Sequence, residues 1–383
     1  MSIRFFHLAD IHLESPFSGI HQLPEEWQDR LRNASFDAFE RVIADAESKR
    51  PDFILLAGDI YDGENRSLHA QRFFQRSMER LAELNIPVFL IHGNHDHLGG
   101  KWTRFELPET IYVFQESPHS HVLKVNGQTV QVSGFSYPTR HVHEAYIENY
   151  PSRDPQADYA IGLLHGSERS QLEHDVYAPF TIQELLKYGY DYWALGHIHK
   201  RQTLHQDPMI AYSGTLQGRN RKEKGPQGYL DIRIDGNQTS SEFCQVSTLQ
   251  FESLETLTEE PQSIDLLLKE LLGDIDRQSW KEESVLLDWT ISLRRLEWLG
   301  SISDDELRDY ISSQIQETYS TILVTRLQIR WMEQLEPVLQ ELVEELELPE
   351  LPIALEKYIQ KDQLQVEVQE RIQTLLATWG DQL

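Results

Sequence analysis

The feature that most constrains the fold is residues 86–97, where a pattern typical of a buried strand leads directly into a loop of polar side chains. Residues 86–91 are mainly β-branched and aromatic, with one proline near the start, as expected for a strand inside a sheet. Gly93 then permits a tight turn, and residues 94–96 offer an amide, an imidazole and a carboxylate. Because α/β sheets usually place their chemistry at strand ends, this loop predicts a metal or catalytic site. The same residues could cap a simple turn, so the prediction depends on partners elsewhere in the chain.

Further apolar segments repeat this arrangement of a strand followed by polar side chains. Strands of this kind are predicted at residues 3–8, 53–57, 88–91, 159–164 and 190–195. Helices predicted at 24–49 and 67–85 alternate with the first three strands, which is the order of βαβ units. The dipeptide Asn126-Gly127 lies between two alternating segments and predicts a hairpin with a type I′ turn. The chain is therefore expected to fold as an α/β protein.

The length of 383 residues suits two or three domains, and a hydrophobic content of 39% is that of a folded protein. Strands expected at 209–214 and 228–234 place the end of a first, catalytic-type domain (1–245) near Cys244. Residues 246–335 are interpreted as a smaller α/β unit, with helices at 263–278 and 303–319 and strands at 285–292 and 322–330. Residues 336–383 are acidic and helical, and their apolar stripes suit packing on the domain or docking on a partner.

Composition limits the classes of function. The single Cys244 excludes an internal disulfide framework and a cysteine-based zinc site. No apolar run reaches the length of a membrane span, and the N-terminus lacks a signal-peptide core, so we expect a soluble, cytoplasmic protein. The net charge is −27, and 29 of the 62 acidic side chains lie in residues 246–383. Because phosphate contacts need lysine and arginine, any role with nucleic acid depends on local basic stretches, bound metal or a partner chain.

Five strand ends deliver side chains that can bind metal ions. They are Asp10 and His12, Asp59, Asn94 and His95, His165, and His197 and His199. Carboxylates and imidazoles without a thiolate suit manganese, iron or zinc. Asp and His two residues apart at a strand end are expected to point the same way, so each such pair can clasp one ion. Asp59 stands alone, as a carboxylate that bridges two ions would. Two ions roughly 3.5–4 Å apart can hold a phosphate ester and activate a water, while a free imidazole protonates the leaving oxygen.

Each of these groups has an ordinary explanation when it is taken alone. Gly58-Asp59 is a common turn, and with 16 histidines in the chain a chance His-x-His is expected, as we interpret His141-Val142-His143. His165 competes with His121 and His174, and is preferred because it follows an apolar strand as the other groups do. The prediction of a two-metal site therefore depends on the whole set, in this order, at strand ends.

Taken together, the five groups match a known pattern. The residues concerned are Asp10-x-His12, Gly58-Asp59, Gly93-Asn94-His95-Asp96, His165 and Gly196-His197-x-His199. They resemble the five motifs of the calcineurin-like metallophosphoesterases. Residues 7–17 and 212–219 further resemble the SbcD-type DNA repair exonucleases, most closely the YhaO group. The resemblance covers about residues 1–245 well and the rest in general layout. It implies a metallophosphoesterase β-sandwich flanked by helices, a four-layer αββα arrangement, with a smaller α/β capping domain and C-terminal helices.

The resemblance also implies a role for each site residue. One ion would be held by Asp10, His12, Asp59 and His199, and a second by Asp59, Asn94, His165 and His197. His95 would be the transition-state stabiliser or general acid. Related phosphoesterases with Gly-Asp-x-x-Asp use the second carboxylate to orient that histidine, which corresponds to Asp62. Some relatives of the nuclease carry histidine at this place. The implied cofactors are two divalent metal ions, with Mn²⁺ expected.

The leading functional hypothesis is a DNA exonuclease or endonuclease in DNA repair. Besides the resemblance, Arg219, Arg221, Lys222 and Lys224 cluster in a Gly-rich loop shortly after the predicted ligands and could hold the phosphodiester backbone. An ordinary solvated loop would have the same composition. The same metal site would also suit a nucleotide, a phosphoprotein or a lipid phosphate. A third hypothesis, a non-catalytic assembly subunit, conflicts with the complete ligand set and the presence of His95.

The resemblance finally implies partner chains. A coiled-coil ABC-type ATPase of the SbcC/YhaN kind would meet the C-terminal helices. A homodimer would use the helices near 24–49 and 67–85. The acidic C-terminal third suits a basic partner surface better than DNA.

Overall fold

The structure is a computed structural model that describes residues 2–17, 23–63, 66–100, 103, 105–170, 177–258, 261–280, 284–294, 297–300 and 302–332. The predicted segment 336–383 and His174 lie outside these residues. In chain order the elements are β1 (Ser2–Leu8), α1 (Glu25–Lys49), β2 (Phe53–Ala57), α2 (Leu68–Glu83), β3 (Val88–Ile91), β4 (Ile111–Val113), β5 (His119–Val125), β6 (Gln128–Gly134), a 3₁₀ turn (Tyr146–Asn149), β7 (Tyr159–His165), α3 (Ile182–Leu186), β8 (Tyr192–Gly196), β9 (Gln202–Gln206), β10 (Met209–Tyr212), β11 (Gly228–Asp235), β12 (Gln238–Gln245), β13 (Leu249–Leu257), α4 (Ile264–Asp276), β14 (Ser284–Arg294), a 3₁₀ turn (Glu297–Leu299), α5 (Asp304–Thr318) and β15 (Ile322–Met332).

Two six-stranded mixed sheets form the larger part of the described chain. The first has the order β12-β11-β1-β2-β3-β4, and the second β5-β6-β7-β8-β10-β9. In the first sheet, β1 to β4 are parallel and β11 runs antiparallel to β1. In the second, β6, β7, β8 and β10 are parallel, with antiparallel strands at both edges. Asn126 and Gly127 form the turn of the β5–β6 hairpin with positive φ angles of 51° and 81°, as a type I′ turn requires.

The two sheets pack face to face over a common apolar layer. Phe5, Phe53 and Phe89 of the first sheet meet Ile161 and Tyr192 of the second, and all five are buried. A fully buried aromatic side chain of this size contributes roughly 1.5–3 kcal/mol. The outer face of the first sheet is covered by α1 and α2, and the outer face of the second by α3 and the 3₁₀ turn before it. The predicted four-layer αββα arrangement is therefore confirmed.

One buried histidine joins the two sheets beneath the predicted site. In the tautomer of His7 that carries its proton on Nε2, this nitrogen donates a hydrogen bond to the Leu195 carbonyl (3.1 Å). His7 Nδ1 then accepts a hydrogen bond from the Tyr192 hydroxyl (2.9 Å). Burial lowers the pKa of His7 to about 3, so the ring stays neutral and suits this pair of bonds. The contact fixes β1 against β8 close to the strand ends from which the site loops leave.

A third sheet of three parallel strands, β13-β14-β15, follows the two large ones. Helices α4 and α5 pack with it around the buried Trp289. Leu249 and Phe251 of β13 pack against Trp27 and Leu31 of α1, so the third sheet contacts a helix that covers the first. The predicted boundary at residue 245 falls between β12 and β13, and the division into domains at this point stays a prediction. Among the described helices, none is long and apolar enough to cross a membrane.

Candidate metal centre

The site lies where strands β1, β2 and β3 of the first sheet and β7 and β8 of the second end together. Beyond the strands, the Asp10 amide donates to the Gly58 carbonyl (3.0 Å) and the His12 amide to the Asp59 carbonyl (3.0 Å). Four site residues adopt the left-handed backbone region that non-glycine residues avoid. They are Asp10 (φ 50°), His12 (φ 48°), Asp59 (φ 53°) and His197 (φ 96°). Each such residue costs of order 1–3 kcal/mol, and such residues cluster at functional sites.

A first group of ligand atoms comes from Asp10, His12 and His199. The Nε2 atoms of His12 and His199 are 3.2 Å apart, and each lies within 4.0 Å of Asp10 Oδ1. This separation falls within the roughly 3.0–3.4 Å expected for two nitrogens that each lie about 2.1 Å from one ion. Asp10 and His12 are completely buried, and His199 is one-quarter exposed. The donor set and its convergence therefore fit a divalent metal ion.

A second group contains Asn94, His165 and His197. Asn94 Oδ1 lies 3.0 Å from His165 Nε2 and 3.2 Å from His197 Nδ1. The two histidines of His197-x-His199 face different groups of ligand atoms. Because His197 has a φ of 96°, its ring faces Asn94, whereas the His199 ring faces His12.

Asp59 lies between the two groups. Its Oδ2 is 3.8 Å from His12 Nε2 and 3.4 Å from His165 Nε2. Its Oδ1 accepts a hydrogen bond from the His95 amide at 2.9 Å. The carboxylate is almost fully buried and thus faces both groups at once.

Burial and neighbouring charges shift the pKa values of the carboxylates and imidazoles in this site. Burial raises the pKa of Asp10 to about 6, against the opposing effect of His199 and His165. Burial also opposes ionisation of Asp59, but His165, His12 and His95 hold its pKa well below the usual range. Burial likewise disfavours the charged form of His165, yet Asp59 and Asp10 raise its pKa to about 9. Bound cations would supply positive charge to these carboxylates and would compete with protons for the imidazoles.

Three imidazoles present Nε2 to the site, and each has a carbonyl or carboxylate oxygen close to its Nδ1. His165 Nδ1 donates to the Ala57 carbonyl at 2.9 Å. His199 Nδ1 lies 2.7 Å from Glu223 Oε1, and His12 Nδ1 lies 3.1 Å from Asp62 Oδ1. Burial and Arg219 lower the pKa of His12 to about 3, so this ring is neutral, as a ligand must be. Carbonyl and carboxylate partners of this kind commonly fix the tautomer of metal-binding histidines.

His95 stands apart from both ligand groups. Its side chain is 30% exposed, and its Nδ1 lies 3.3 Å from the Asp62 carbonyl oxygen. The Asp62 carboxylate is 3.7 Å from His95 Nδ1 but 3.1 Å from His12 Nδ1, so it lies closer to His12 than to the histidine it was expected to orient. Arg219 Nη1 donates to this carboxylate at 2.6 Å and holds it there. Burial would raise the pKa of Asp62, but His12, Arg219 and His95 lower it to about 2.

Asp96 has a role that the sequence did not reveal. Its Oδ1 accepts from the Gly93 amide (2.7 Å) and its Oδ2 from the Ile60 amide (2.9 Å). His92 Nδ1 lies 3.1 Å from Oδ2, so this histidine, which is not one of the predicted site residues, belongs to the same arrangement. The Asp96 carboxylate thereby ties the loop after β3 to the loop after β2.

Gly93 offers a direct test of how tightly the site is packed. A Cβ at this position would lie 2.3 Å from Asp59 Oδ1 and 2.6 Å from His165 Nε2. We expect Gly93→Ala to weaken metal binding by more than about tenfold, because both side chains must move. Isothermal titration with Mn²⁺ measures the loss, and circular dichroism checks that the fold persists. Gly63→Ala is the matched control, because a Cβ there has no neighbour within 4 Å. Equal affinities for the two variants would contradict the packing described here.

An open cleft of about 540 Å³ leads to the site. Besides predicted site residues, it is lined by Arg140, His141 and Tyr177. His141 Nδ1 lies 2.9 Å from the Tyr177 hydroxyl. The interpretation of His141 as part of a chance pair therefore missed its position at the cleft, for which nothing in its sequence neighbourhood gave a signal.

The predicted basic loop is less exposed than its composition indicated. Arg219 is 13% exposed and lies against Asp62. Arg221 pairs with Asp288 of β14 at 2.9 Å. Lys222 is exposed. Contact of these side chains with DNA stays a prediction.

Comparison with known proteins identifies the family. The family model described as calcineurin-like phosphoesterase matches residues 3–201. The chain is 36% identical to the uncharacterized metallophosphoesterase YhaO of Bacillus subtilis, over 81% of this chain and 77% of that protein. It is 26% identical to the DNA double-strand break repair protein Mre11 of Archaeoglobus fulgidus, over 77% of this chain and 70% of that protein. With the Methanocaldococcus jannaschii protein of the same name the identity is also 26%, over 61% of this chain and 63% of that protein. The chain therefore belongs to the calcineurin-like phosphoesterases and is a metallophosphoesterase, a hydrolase that works with divalent metal ions.

Proposed function

We propose that this chain is a two-metal phosphodiesterase that hydrolyses DNA as an exonuclease. The observation that carries the proposal is the position of Asp59, whose buried Oδ2 lies 3.8 Å from His12 Nε2 of the first group and 3.4 Å from His165 Nε2 of the second. A single carboxylate between two groups of ligand atoms is what a pair of ions at one phosphate requires. The relatives named for DNA double-strand break repair support DNA as the substrate.

In this proposal the two ions have separate ligands and share Asp59. The first is held by Asp10, His12, Asp59 and His199, and the second by Asp59, Asn94, His165 and His197. When bound, the ions supply positive charge that holds the phosphate and activates the attacking water. Mn²⁺ is the expected metal, since the donors are carboxylates, imidazoles and an amide oxygen without a thiolate.

The chain's own contribution to the reaction centres on His95. Its backbone amide is fixed by Asp59, and its Nδ1 faces the Asp62 carbonyl. With Nδ1–H donating to that carbonyl, Nε2 of the protonated ring is left to donate to the phosphate or to the leaving oxygen. The ring lines the cleft, where a substrate phosphate can reach it. His95 therefore acts as the transition-state stabiliser or general acid, a task that suits imidazole near neutral pH.

The substrate is tested with Mn²⁺ and two kinds of phosphodiester. End-labelled linear DNA and bis-p-nitrophenyl phosphate are compared at equal enzyme concentration, with EDTA as the control. We expect Mn²⁺-dependent shortening of the DNA. Hydrolysis of the small diester with no cleavage of any DNA would overturn the nuclease proposal and favour a nucleotide, phosphoprotein or lipid phosphate. The acidic net charge of −27 makes the comparison informative, because DNA must overcome this repulsion.

Partners and domains are part of the same proposal. Residues 246–335 would cap the nuclease domain, and residues 336–383 would dock on a coiled-coil ABC-type ATPase. The contact between β13 and α1 supports a capping position for the third sheet.

A further inference from the structure

We infer that Glu223 and Arg219 are positioning residues that build the His12–His199 side of the metal centre. The inference rests on the proposed function, because it takes His12 and His199 as ligands of the first ion. Both positioning residues lie beyond residue 201, outside the part of the chain that the family model matches. The sequence prediction placed Arg219 on the substrate instead and gave Glu223 no role.

Glu223 holds His199 from behind. Its Oε1 lies 2.7 Å from His199 Nδ1, and its Oε2 accepts a hydrogen bond from the Arg219 amide at 2.7 Å. The carboxylate side chain is only 12% exposed, so water competes little for these contacts. An ionised carboxylate at Nδ1 favours the tautomer with the proton on that nitrogen, which leaves the Nε2 electron pair for the ion that His199 would share with His12.

Arg219 joins the two carboxylates that hold the ligands. Its Nη1 donates to Asp62 Oδ1 at 2.6 Å and to the Ser15 hydroxyl at 3.1 Å. Its Nη2 lies 3.2 Å from His199 Nδ1 and 3.8 Å from Glu223 Oε1. The guanidinium is 13% exposed, and its charge is directed toward these two carboxylates. Arg219 is therefore placed to neutralise the carboxylates behind the ligands rather than to bind a DNA phosphate.

These contacts close into a ring around one ion position. In order, the ring passes through Glu223, His199, His12, Asp62 and Arg219 and returns to Glu223. The second ion position is organised differently, because His165 Nδ1 is held by the backbone carbonyl of Ala57. Loss of Glu223 should therefore weaken the binding of one ion and leave the binding of the other unchanged.

The third sheet fixes the loop that carries the ring. The Gln217 side chain donates to the Leu249 carbonyl at 2.6 Å and accepts from the Thr248 amide at 3.0 Å. Arg221 pairs with Asp288, and the Gly225 amide donates to the Phe251 carbonyl at 3.0 Å. The position of His199 thus depends on residues of β13 and β14, far along the chain.

The test measures the two ions separately. Wild-type protein and Glu223→Gln are titrated with Mn²⁺ by calorimetry and by electron paramagnetic resonance, starting from metal-free protein. We expect wild type to bind two ions and Glu223→Gln to bind one of them about 10–100-fold more weakly, with the other unchanged. Glu242→Gln, on the exposed side of β12, is the control with wild-type binding. The melting temperature of the metal-free proteins shows whether the substitution acts on the site or on the fold.

A second variant keeps the inference testable if Glu223→Gln does not fold. Asp288→Asn removes the partner of Arg221 and touches no predicted ligand. We expect the affinity for the same ion to fall by a few-fold and the affinity for the other ion to stay unchanged. Two ions bound with wild-type affinity by Glu223→Gln, or by Asp288→Asn where Glu223→Gln does not fold, would overturn the inference and leave the proposed function standing. Wild-type protein that binds fewer than two Mn²⁺ ions would overturn the proposed two-metal function itself.

Discussion

Replacing His95 with asparagine is expected to lower kcat by about 10²–10⁴-fold while both metal ions remain bound. Asparagine keeps the backbone amide that bonds Asp59 but cannot donate a proton to the leaving oxygen. The imidazole lies outside both ligand groups and lines the cleft, so its loss should affect the reaction more than the metals. Rates on the phosphodiester that the wild type cleaves best, together with metal content by mass spectrometry, measure the two effects.

The control for this variant is His69→Asn, which changes an exposed histidine of α2 that belongs to neither group. Loss of bound metal in His95→Asn is the alternative outcome. His95 could itself bind an ion, because ligand atoms of His95, Asp62 and His12 lie within 4.8 Å of one another. If metal disappears together with activity, His95 is a ligand and its role as general acid is wrong.

Asp59→Asn is expected to remove both ions at once. A neutral amide would lack the negative charge that Asp59 places near His12 and His165, one residue of each ligand group. We expect the affinity for both ions to fall by more than the about 10–100-fold that loss of an outer partner costs. Activity should fall to the level measured in EDTA. Calorimetric titration with Mn²⁺ gives the number of ions and the affinity of each.

The control is Asp29→Asn, which makes the same change from carboxylate to amide on the exposed face of α1. Should Asp59→Asn still bind one ion at wild-type affinity, the carboxylate serves a single ion and does not bridge. The expected loss of both ions differs from the result expected for Glu223→Gln, which weakens one ion only because Glu223 contacts His199 on one side of the site.

Much of the fold could be predicted because each element carries its own signal. The strand predicted at 53–57 is observed as Phe53–Ala57, and the helix predicted at 24–49 as Glu25–Lys49. Continuous apolar runs, helical spacing and the Asn126-Gly127 turn are local patterns. β13 was missed because its sequence, with Glu252, Ser253 and Glu255, resembles a polar connection and becomes a strand through pairing with β14.

The difference between local patterns and contacts of distant segments also explains which site residues could be predicted. Asp10, Asp59 and His165 were found because each follows an apolar strand, and the structure brings them together. Glu223 follows no strand, and its contact with His199 arises only because the third sheet folds its loop back. The Asp62 carboxylate was expected beside His95, but Arg219 draws it toward His12. Such choices between neighbouring partners depend on three-dimensional charge balance, which spacing in the sequence does not encode.

The division of the predicted ligands between the two large sheets has a consequence for the lifetime of the protein. Asp10, Asp59 and Asn94 leave the first sheet, whereas His165 and His197 leave the second. Ions bound by ligands from both sheets would link the two sheets, and only the folded chain brings these ligands together. By mass action, free metal at 100 times the dissociation constant adds about 2.7 kcal/mol of stability for one ion. The supply of divalent metal would then govern how much folded enzyme persists in the cell as well as how fast each molecule works.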